Sequence, residues 1–492
     1  FFFGGFILFF CFFCLFIFGV GYSPIDVSKF NYTRLDRVVD MLVVEFGLHI
    51  GFEIMGNPQV VSSNNTALQG VFTDWGDVTQ LIAWQHMVTA IATRYASKYG
   101  VDVVRKWKWE AWNEPDHNCN AKNKMKAGIN CDVESWLGYF DACANGLRDG
   151  DPLLLWGGPG TGGATLNKPS FLVAMLTHVA KSGNKTKLDY IQWHEKGYAT
   201  NTDVDVKIAQ TCVDTAPAIT ASIPMGNEEV DPLGGWNKVQ SWRGDARYPA
   251  AAAKILLLHQ HKLREGMNTT INYAYHSNDN AFLNYGDEWF DQRTLTVRFL
   301  MNKTNTVEVI RKPVINLMAL LALLGDTKYL LSETTAPSLE TSPFGVLCTT
   351  RKAVEATDPS EVVVLMYNSG PDLTVVNETS INTEVMIKLP LNVGNTAPIV
   401  THYRIDNTHS SARQQWSVFG GSANPYPSAQ QFEQLRNASA LTVLSREQVS
   451  VSSQHTVSLK TTLPEPSISL FQLCFPQAHP MAPPKTTGLR LR

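Results

Sequence analysis

The sequence predicts an α/β fold made of successive parallel β/α units, followed by an antiparallel β-sandwich. Between residues 30 and 280 a strand, a loop and a helix follow one another repeatedly, which is typical of parallel β/α units. Beyond residue 330 the pattern changes to short strands separated by turn signals. Polar and acidic residues cluster where the predicted parallel strands end, and β/α folds place their active sites at that edge.

In the first part of the chain, helical and strand patterns alternate. Apolar residues recur at helical spacing from Leu35 to Phe46 and again from Leu81 to Tyr95, where Gly100 provides a C-cap. Further helices are predicted over 133–148, between 197 and 219, and over 248–265. The predicted strands are 48–56, 106–115, 153–160, 188–197, 219–229 and 269–280.

The second part of the chain reads as a sandwich of short strands. A helical pattern is visible there only around 429–435. The predicted strands are 344–353, 361–369, 383–390, 400–406, 455–460 and 467–474.

Four segments follow from these patterns: an apolar segment over 1–22, the α/β domain over 23–335, the sandwich over 336–475 and a proline-rich tail over 476–492. About twenty apolar residues are enough to span a bilayer. The segment lacks the basic start and small-residue cleavage site of a secretory signal, and the chain begins at Phe1 rather than Met. A membrane anchor, a damaged signal region and mis-predicted coding sequence stay open as interpretations.

Composition excludes several classes of function. The 492 residues carry 41 Lys and Arg against 44 Asp and Glu, a net charge of −3 without a long basic run, so no nucleic-acid partner is expected. The eight cysteines are too scattered for a zinc or redox motif. We expect neither a metal nor an organic cofactor.

Seven N-x-S/T sequons favour a secreted or lumenal protein. In such a compartment Cys119 and Cys131 could form a disulfide, or Cys131 and Cys143 could stay reduced. The sequon asparagines, which are the predicted glycosylation sites, are Asn31, Asn64, Asn184, Asn268, Asn302, Asn377 and Asn437.

Two strand-end glutamates suggest glycoside hydrolysis. Asn113-Glu114-Pro115 follows an aromatic-rich predicted strand, and Glu228-Glu229 ends another strand further along the chain. Glycoside hydrolysis needs one carboxylic acid to protonate the leaving oxygen and one carboxylate to attack the anomeric carbon. A single glutamate at a strand end is most often a surface residue, but the pair in this context favours catalysis.

Six blocks of the sequence resemble glycoside hydrolase family 39, and the likeness runs from about residue 31 to 474. The resemblance implies a (β/α)8 TIM barrel followed by a β-sandwich. It assigns Glu114 as the acid/base on strand four, Glu229 as the nucleophile on strand seven, and Asn113 as a contact to the sugar 2-hydroxyl. It makes Glu228 a non-nucleophile, at a position where the family more often has Asp. The blocks are WEAWNEPDH (109–117), LLLWGGPG (153–160), DYIQWHEKG (189–197), NEEVDPLGGW (227–236), SNDNAFLNY (277–285) and QRTLTVRF (292–299).

The resemblance is to family members that release terminal α-L-iduronic acid from dermatan and heparan sulfate in the lysosome, with retention of configuration. A buried uronate carboxylate needs cationic or backbone donors. For His194 two interpretations stay open, a substrate contact or a brace for Glu229. The positions that match the family's uronate-recognition residues are Lys196, Arg293, Asp279, Gly235 and Trp236.

The sequence also departs from the family pattern. We find no counterpart of the first two barrel strands, nor of the substrate-contacting histidine on the second. The fibronectin-type domain that follows in the family is absent, which leaves Cys474 without its family disulfide partner. An incomplete gene model is the favoured interpretation, with a truncated inactive form, such as a sugar-binding isoform, as the alternative. A β-xylosidase-like activity is a further alternative, which Lys196 and Arg293 argue against.

Overall fold

The computed structural model describes most of the chain. It describes the backbone alone at 7–10, 16–17, 59–61, 67–70, 125–126, 129–130, 261, 274–278, 352 and 359–360. The described residues are 7–10, 16–17, 31–55, 59–61, 67–70, 74–116, 125–126, 129–130, 132–162, 170–183, 186–197, 202–234, 239–261, 274–278, 289–301, 306–328, 342–352, 359–377, 379–389, 397–423 and 426–475.

Parallel strands form two four-stranded sheets that follow one another in chain order. The chain passes from the first sheet to the second through Gly158, whose φ of 120° lies outside the range that other residues readily adopt. The first sheet contains Ile7–Phe10, His49–Ile54, Lys108–Ala111 and Leu155–Gly157. The second contains Pro159–Thr161, Ile191–Trp193, Met225–Val230 and Ala274–Asn278.

One strand of the first sheet differs from the sequence-based expectation. We expected no strand before 48–56 in this sheet, but Ile7–Phe10 pairs in parallel with His49–Ile54. The apolar segment is rich in Phe, Ile and Leu, residues suited to a buried parallel strand, and His49–Ile54 offers an edge for pairing. A second short strand from this segment, Phe16–Ile17, pairs with Gln59–Val61, which in turn pairs with Ala67–Gly70. The expectation that the sheet has no earlier strand is therefore wrong for residues 7–10.

Helices follow the strands, and their apolar faces pack against the sheets. The longest begins at Asp77, whose carboxylate accepts from the Thr79 N–H at 2.9 Å, and ends at Gly100 with φ 88°. The helices are Thr33–Asp40 with a π-turn over Met41–Glu45, Val78–Tyr99, Val101–Val104, Val133–Gly150, Phe171–Lys181, Thr202–Thr215, Pro217–Thr220, Arg247–His261, Pro313–Leu321, Arg413–Val418 and Ala429–Ser439. Short 3₁₀ turns occupy Ser241–Gly244, Trp289–Asp291 and Gly421–Ala423.

The core between these helices and strands is unusually aromatic. Trp109 stacks on Phe52 of the neighbouring strand with ring centroids 4.7 Å apart, and Trp75 packs edge-on against Tyr139 at the same separation. Cys143 is buried in this core and accepts from the Trp84 indole N–H at 3.0 Å. Its burial agrees with the reduced state considered above, whereas positions 119 and 131 lie outside the described residues.

The C-terminal part is an antiparallel sheet domain, as the sequence predicts. Thr442–Gln448 was not predicted as a strand, and neither was the hairpin Thr296–Met301 with Thr306–Arg311. Thr442–Gln448 has no buried residue, so it lacks the apolar face by which a strand is recognised in a sequence. The six-stranded sheet has the spatial order Thr327–Lys328, Phe344–Lys352, Pro359–Asn368, Ser467–Cys474, Ile399–Asp406 and Thr442–Gln448, and Ser380–Lys388 pairs with Thr456–Pro464 in a second sheet.

The remaining predictions on organisation concern the borders, the sequons and the membrane. The borders at 22/23, 335/336 and 475/476 cannot be compared in detail because residues 18–30, 329–341 and 476–492 lie outside the described part. Asn31 and Asn437 are exposed, and the Asn377 side-chain amide donates to Glu465 at 2.9 Å. Cys474 is exposed and free. Within the described residues, no helix combines the length and apolarity needed to cross a bilayer. Of the sequon positions, 64, 184, 268 and 302 are not described.

The central strand Pro359–Asn368 joins two apolar cores through the alternation of its side chains. Val362, Val364 and Met366 face the two-stranded sheet. Leu365 faces the opposite way, into a fully buried cluster shared with the helices Arg247–His261 and Pro313–Leu321. This cluster connects the sheet domain to the parallel-sheet domain.

We expect Leu365→Ala to lower the free energy of unfolding by about 2–5 kcal/mol, because it leaves a cavity in that shared cluster. Val376→Ala, at a position 46% exposed, should change it by less than about 0.5 kcal/mol. Chemical denaturation followed by tryptophan fluorescence measures both. Equal effects in the two variants would mean that the shared cluster does not support the fold.

Candidate active site

The strand Lys108–Ala111 ends in a turn with an uncommon backbone. Trp112 and Glu114 have positive φ values of 68° and 47°, a region that residues other than glycine seldom adopt. The turn is held by backbone hydrogen bonds from the Trp112 N–H to Ile54 O at 3.2 Å and from the Glu114 N–H to Gly160 O at 2.9 Å. These bonds fix Glu114 at the carboxyl end of three neighbouring strands.

The strand Met225–Val230 brings the second carboxylate to the same edge. Asn227 is fully buried, and its side-chain oxygen accepts from the N–H groups of Glu195 and Glu229, both at 3.2 Å. Its amide donates to Glu195 O at 2.7 Å. Because Glu228 and Glu229 are adjacent in an extended strand, their side chains point to opposite sides.

His194 connects the two predicted catalytic carboxylates. Its Nδ1 atom lies 3.2 Å from a Glu114 oxygen and 3.3 Å from a Glu229 oxygen, and its Nε2 atom lies 3.2 Å from a Glu228 oxygen. The His194 side chain is only 2% exposed. One oxygen each of Glu114 and Glu229, together with Nδ1, lie within 4.8 Å of one another. Of the two interpretations for His194, these contacts support the brace.

Lys196 lies at the same carboxylates. Its ammonium forms an ion pair with Glu229 and lies 3.8 Å from a Glu114 oxygen. Its side chain is 18% exposed, comparable with the 22% of Glu229 and the 23% of Glu114, so all three are accessible to a ligand. Lys196 therefore contacts the predicted nucleophile directly.

The charges in the site set the pKa values of its members. Burial acts to raise the pKa of Glu229, but the positive charges of His194 and Lys196 outweigh it and hold that pKa below its ordinary value. Burial acts to lower the pKa of His194, but the negative charge of Glu229 and hydrogen bonds to Glu114 and Glu228 raise it well above 6.5. Glu229 is thus an anion and His194 a cation at neutral pH.

A layer of buried charge that the sequence analysis missed lies beneath the catalytic pair. Glu110 is fully buried, and Glu53 and Glu228 are 3% and 2% exposed. Burial, followed by the charge of Glu228, raises the pKa of Glu110 well above its ordinary value, and burial also raises that of Glu228. Burial lowers the pKa of Lys108 to about 8. An acidic residue inside an apolar strand pattern, as in HIGFEI and KWEA, is the signal that could have found this layer.

A second hydrogen-bond network that the sequence analysis did not predict supports the ends of two strands. Asp205 is 1% exposed and accepts from the Trp193 indole at 2.6 Å and from the Asn227 amide at 3.2 Å. His259 Nε2 lies 2.5 Å from its other oxygen. Burial and the charge of Asp205 raise the pKa of Glu195 to about 7. The network fixes the two strand ends that bear His194 and Glu229.

The other predicted substrate contacts are only partly described. Asn113 Oδ1 is buried and has no hydrogen-bond partner within the described residues. Arg293 is 7% exposed and follows the 3₁₀ turn Trp289–Asp291. Lys312 holds the two sequence neighbours of Arg293, because its ammonium donates to Gln292 O and lies 3.3 Å from Thr294 Oγ1. Positions 235, 236 and 279 lie outside the described residues.

Two groups of side chains have spacings that could hold a metal ion. They are Glu110, His194 and Glu228, and Glu114, His194 and Glu229. His194 belongs to both, and the ammonium of Lys196 already compensates the charge of Glu229. The donors therefore fit internal ion pairing better than a resident metal.

Comparison with known proteins gives consistent relatives. Residues 22–454 match the model of glycosyl hydrolases family 39. The chain is 32% identical over 479 residues to α-L-iduronidase of Mus musculus, covering 94% of this chain and 70% of the mouse protein. It is 33% identical over 476 residues to α-L-iduronidase of Homo sapiens, covering 94% and 69%. A solved structure of a bacterial orthologue of human α-L-iduronidase superposes with a TM-score of 0.74 at 26% identity, covering 92% of this chain and 74% of that one.

The paired strand-end carboxylates and these similarities define the protein as a glycosyl hydrolase. More specifically, the chain belongs to glycosyl hydrolases family 39.

Gly160 offers a test of the packing beneath the site. It has φ +55°, and a Cβ there would lie 2.9 Å from Glu110 Oε1 and 3.4 Å from His194 Nε2. Gly183 has φ +65° and nothing within 4 Å of such a Cβ. Both Gly→Ala variants should cost stability by about 1 kcal/mol from the backbone. We expect only Gly160→Ala to lose glycosidase activity as well, by about tenfold or more, since a shift of about 1 Å at catalytic groups has large effects.

Assay of both variants on an aryl glycoside, with thermal denaturation in parallel, separates the two effects. Similar activity losses in Gly160→Ala and Gly183→Ala would show that the positions of Glu110 and Glu228, which the added Cβ meets at 2.9 and 3.2 Å, are not critical for activity.

Proposed function

We propose that this protein is a retaining glycoside hydrolase that removes terminal α-L-iduronic acid from glycosaminoglycans such as dermatan sulfate and heparan sulfate. The observation that carries the proposal is the separation of Glu114 and Glu229, whose nearest oxygens lie within 4.8 Å. Retaining glycosidases hold their carboxyl groups about 5–5.5 Å apart, whereas inverting enzymes need about 6.5–9.5 Å to admit a water molecule. The similarity to α-L-iduronidases supports the choice of sugar.

In the first step Glu229 attacks the anomeric carbon while Glu114 protonates the departing oxygen. The depressed pKa of Glu229 supports its role, because the nucleophile must be ionised before it attacks. This step breaks the glycosidic bond, forms a glycosyl ester on Glu229 and leaves Glu114 as a carboxylate. In the second step Glu114 removes a proton from water, which attacks the ester and frees Glu229.

The proposed substrate contacts follow from the needs of a uronic acid. Arg293 is buried and charged, which suits bidentate pairing with a sugar carboxylate. The orphaned oxygen of Asn113 is suited to accept a hydrogen bond from the sugar 2-hydroxyl. Lys196, Asp279 and the backbone of residues 235 and 236 complete the proposed set on the strength of the sequence resemblance.

Other parts of the proposal concern architecture and location. We propose that the two parallel sheets belong to one (β/α)8-type barrel, since they meet at Gly158 and bring their carboxyl ends to one site.

We also propose that the protein is a lysosomal glycoprotein, which the seven sequons support. Asn31 and Asn437 are exposed as glycan acceptors must be.

Azide rescue tests the two carboxylate roles. We expect both Glu114→Ala and Glu229→Ala to lose hydrolysis of a fluorogenic α-L-iduronide, Glu114→Ala by roughly 10²–10⁴-fold. Azide should restore turnover in each by entering the vacated space. Glu229→Ala should then yield the glycosyl azide of inverted configuration and Glu114→Ala that of retained configuration, as read by NMR. Glu195→Ala, a neighbouring carboxylate, should yield no azide product. Exchanged configurations would reverse the two assignments.

A comparison of two sugars that differ only in the carboxylate tests the proposed contact of Arg293 to the uronate. We expect Arg293→Gln to lower kcat/KM for an aryl α-L-iduronide by about 30-fold or more, equivalent to about 2 kcal/mol for losing one partner of a buried charged pair. The matching idoside, which carries CH₂OH instead of the carboxylate, should be affected far less. Arg37→Gln, at an exposed helix position, should change neither. Equal losses on both sugars would make Arg293 structural, and preference of the native protein for an aryl β-xyloside would favour the xylosidase alternative.

A further inference from the structure

Glu228 contacts the catalytic machinery from behind. It is 2% exposed, and its oxygen lies 3.2 Å from Nε2 of His194, on the opposite side of the ring from the two catalytic carboxylates. Glu228 cannot reach the substrate side of the strand, because its neighbour Glu229 occupies that side. Its contact to the reaction therefore runs through His194.

The proposed reaction moves a negative charge between two places. Before attack the charge is on Glu229. After attack Glu229 is an ester and the charge is on Glu114, which has given up its proton. His194 Nδ1 lies 3.3 Å from Glu229 and 3.2 Å from Glu114, so one N–H group can donate to either carboxylate without rotation of the ring.

We propose that Glu228 is a positioning residue of the reaction, which holds His194 as a two-donor imidazolium so that its Nδ1–H stabilises the negative charge first on Glu229 and then on Glu114. This inference rests on the function proposed above. A neutral imidazole has only one N–H, whereas both ring nitrogens of His194 face carboxylates here. When the carboxylates on both sides are ionised, both nitrogens must carry protons, and an anionic partner at Nε2 favours that form.

The surroundings of His194 support this assignment. The raised pKa of His194 agrees with a cationic ring. Burial raises the pKa of Glu228, but the hydrogen bond and charge of His194 act against that rise, whereas the pKa of Glu110 is raised well above its ordinary value, so the negative charge of this buried pair is assigned to Glu228, which contacts the ring. The charged and titratable groups that face the ring or its carboxylate partners are Glu53, Lys108, Glu110, Glu114, Asp116, Lys196, Glu228 and Glu229.

The test is the pH profile of kcat/KM in Glu228→Gln. The variant keeps the shape of the side chain and removes its charge, so the pKa of His194 should fall. The imidazolium then loses its proton at lower pH, and the basic limb of the profile should move toward acid by roughly one to three pH units. Glu228→Asp keeps the charge and should return the limb toward that of the native protein. Glu361→Gln, which removes a carboxylate 7% exposed in the sheet domain, should leave the limb in place.

A double-mutant cycle shows whether the effect runs through the ring. Glu228→Gln should shift the limb in the native background but not in a His194→Gln background. A shift of equal size in both backgrounds would mean that Glu228 acts directly on Glu114, which would overturn the inference. An unchanged limb in Glu228→Gln would also overturn it.

NMR of ¹⁵N-histidine-labelled protein tests the ring itself and needs neither activity nor a folded Glu228 variant. We expect His194 to be doubly protonated at about pH 7.5, above the ordinary histidine pKa of about 6.5, with its signals identified by their loss in His194→Gln. A singly protonated His194 in the native protein would overturn the inference. Failure of the native protein to cleave an α-L-iduronide would instead contradict the proposed function, so the two failures are distinct.

Discussion

Burial of several carboxylates at one edge of parallel strands is the constraint on which the rest of the site depends. An isolated carboxylate cannot stay ionised in such a place, so it must either find a cation or keep a proton. Both solutions occur here. Glu229 is paired with Lys196 and His194 and is held ionised, whereas burial raises the pKa of Glu110 so that it keeps its proton. A protonated Glu110 adds no negative charge of its own beneath the ionised nucleophile.

The backbone around the site is shaped to serve this arrangement. Glu114 adopts a left-handed conformation that costs on the order of 1–3 kcal/mol, and its N–H bond to Gly160 O offsets part of that cost. Gly160 in turn has a positive φ and lies where any Cβ would press on the carboxylates of Glu110 and Glu228. The catalytic turn and the buried floor therefore depend on one glycine, and neither could be altered without the other.

Much of this site could be predicted from the sequence, and what could not has a physical reason. Glu114 and the Glu228-Glu229 pair stand at the ends of recognisable strands, so local pattern and chemistry point to two carboxylates there, whereas the choice of Glu229 and the two roles came from the family resemblance. The partner of a buried charge is set by packing across strands that are distant in sequence, so neither the pairing of Glu228 with His194 nor the role of Asp205 beneath Asn227 follows from spacing. The same holds for the edge pairing of Ile7–Phe10, which an apolar run alone does not distinguish from a membrane segment.

The contacts of Lys196 bear on two different roles, recognition of the uronate carboxylate and ionisation of the nucleophile Glu229. Its ammonium is paired with Glu229, so a uronate carboxylate would have to compete with the nucleophile for it. If the sugar won that competition, the pKa of Glu229 would rise and attack would weaken, because Lys196 is one of the two cations that lower it. The contacts of Lys196 therefore give it a role beside the proposed contact to the sugar, because they keep the nucleophile ionised.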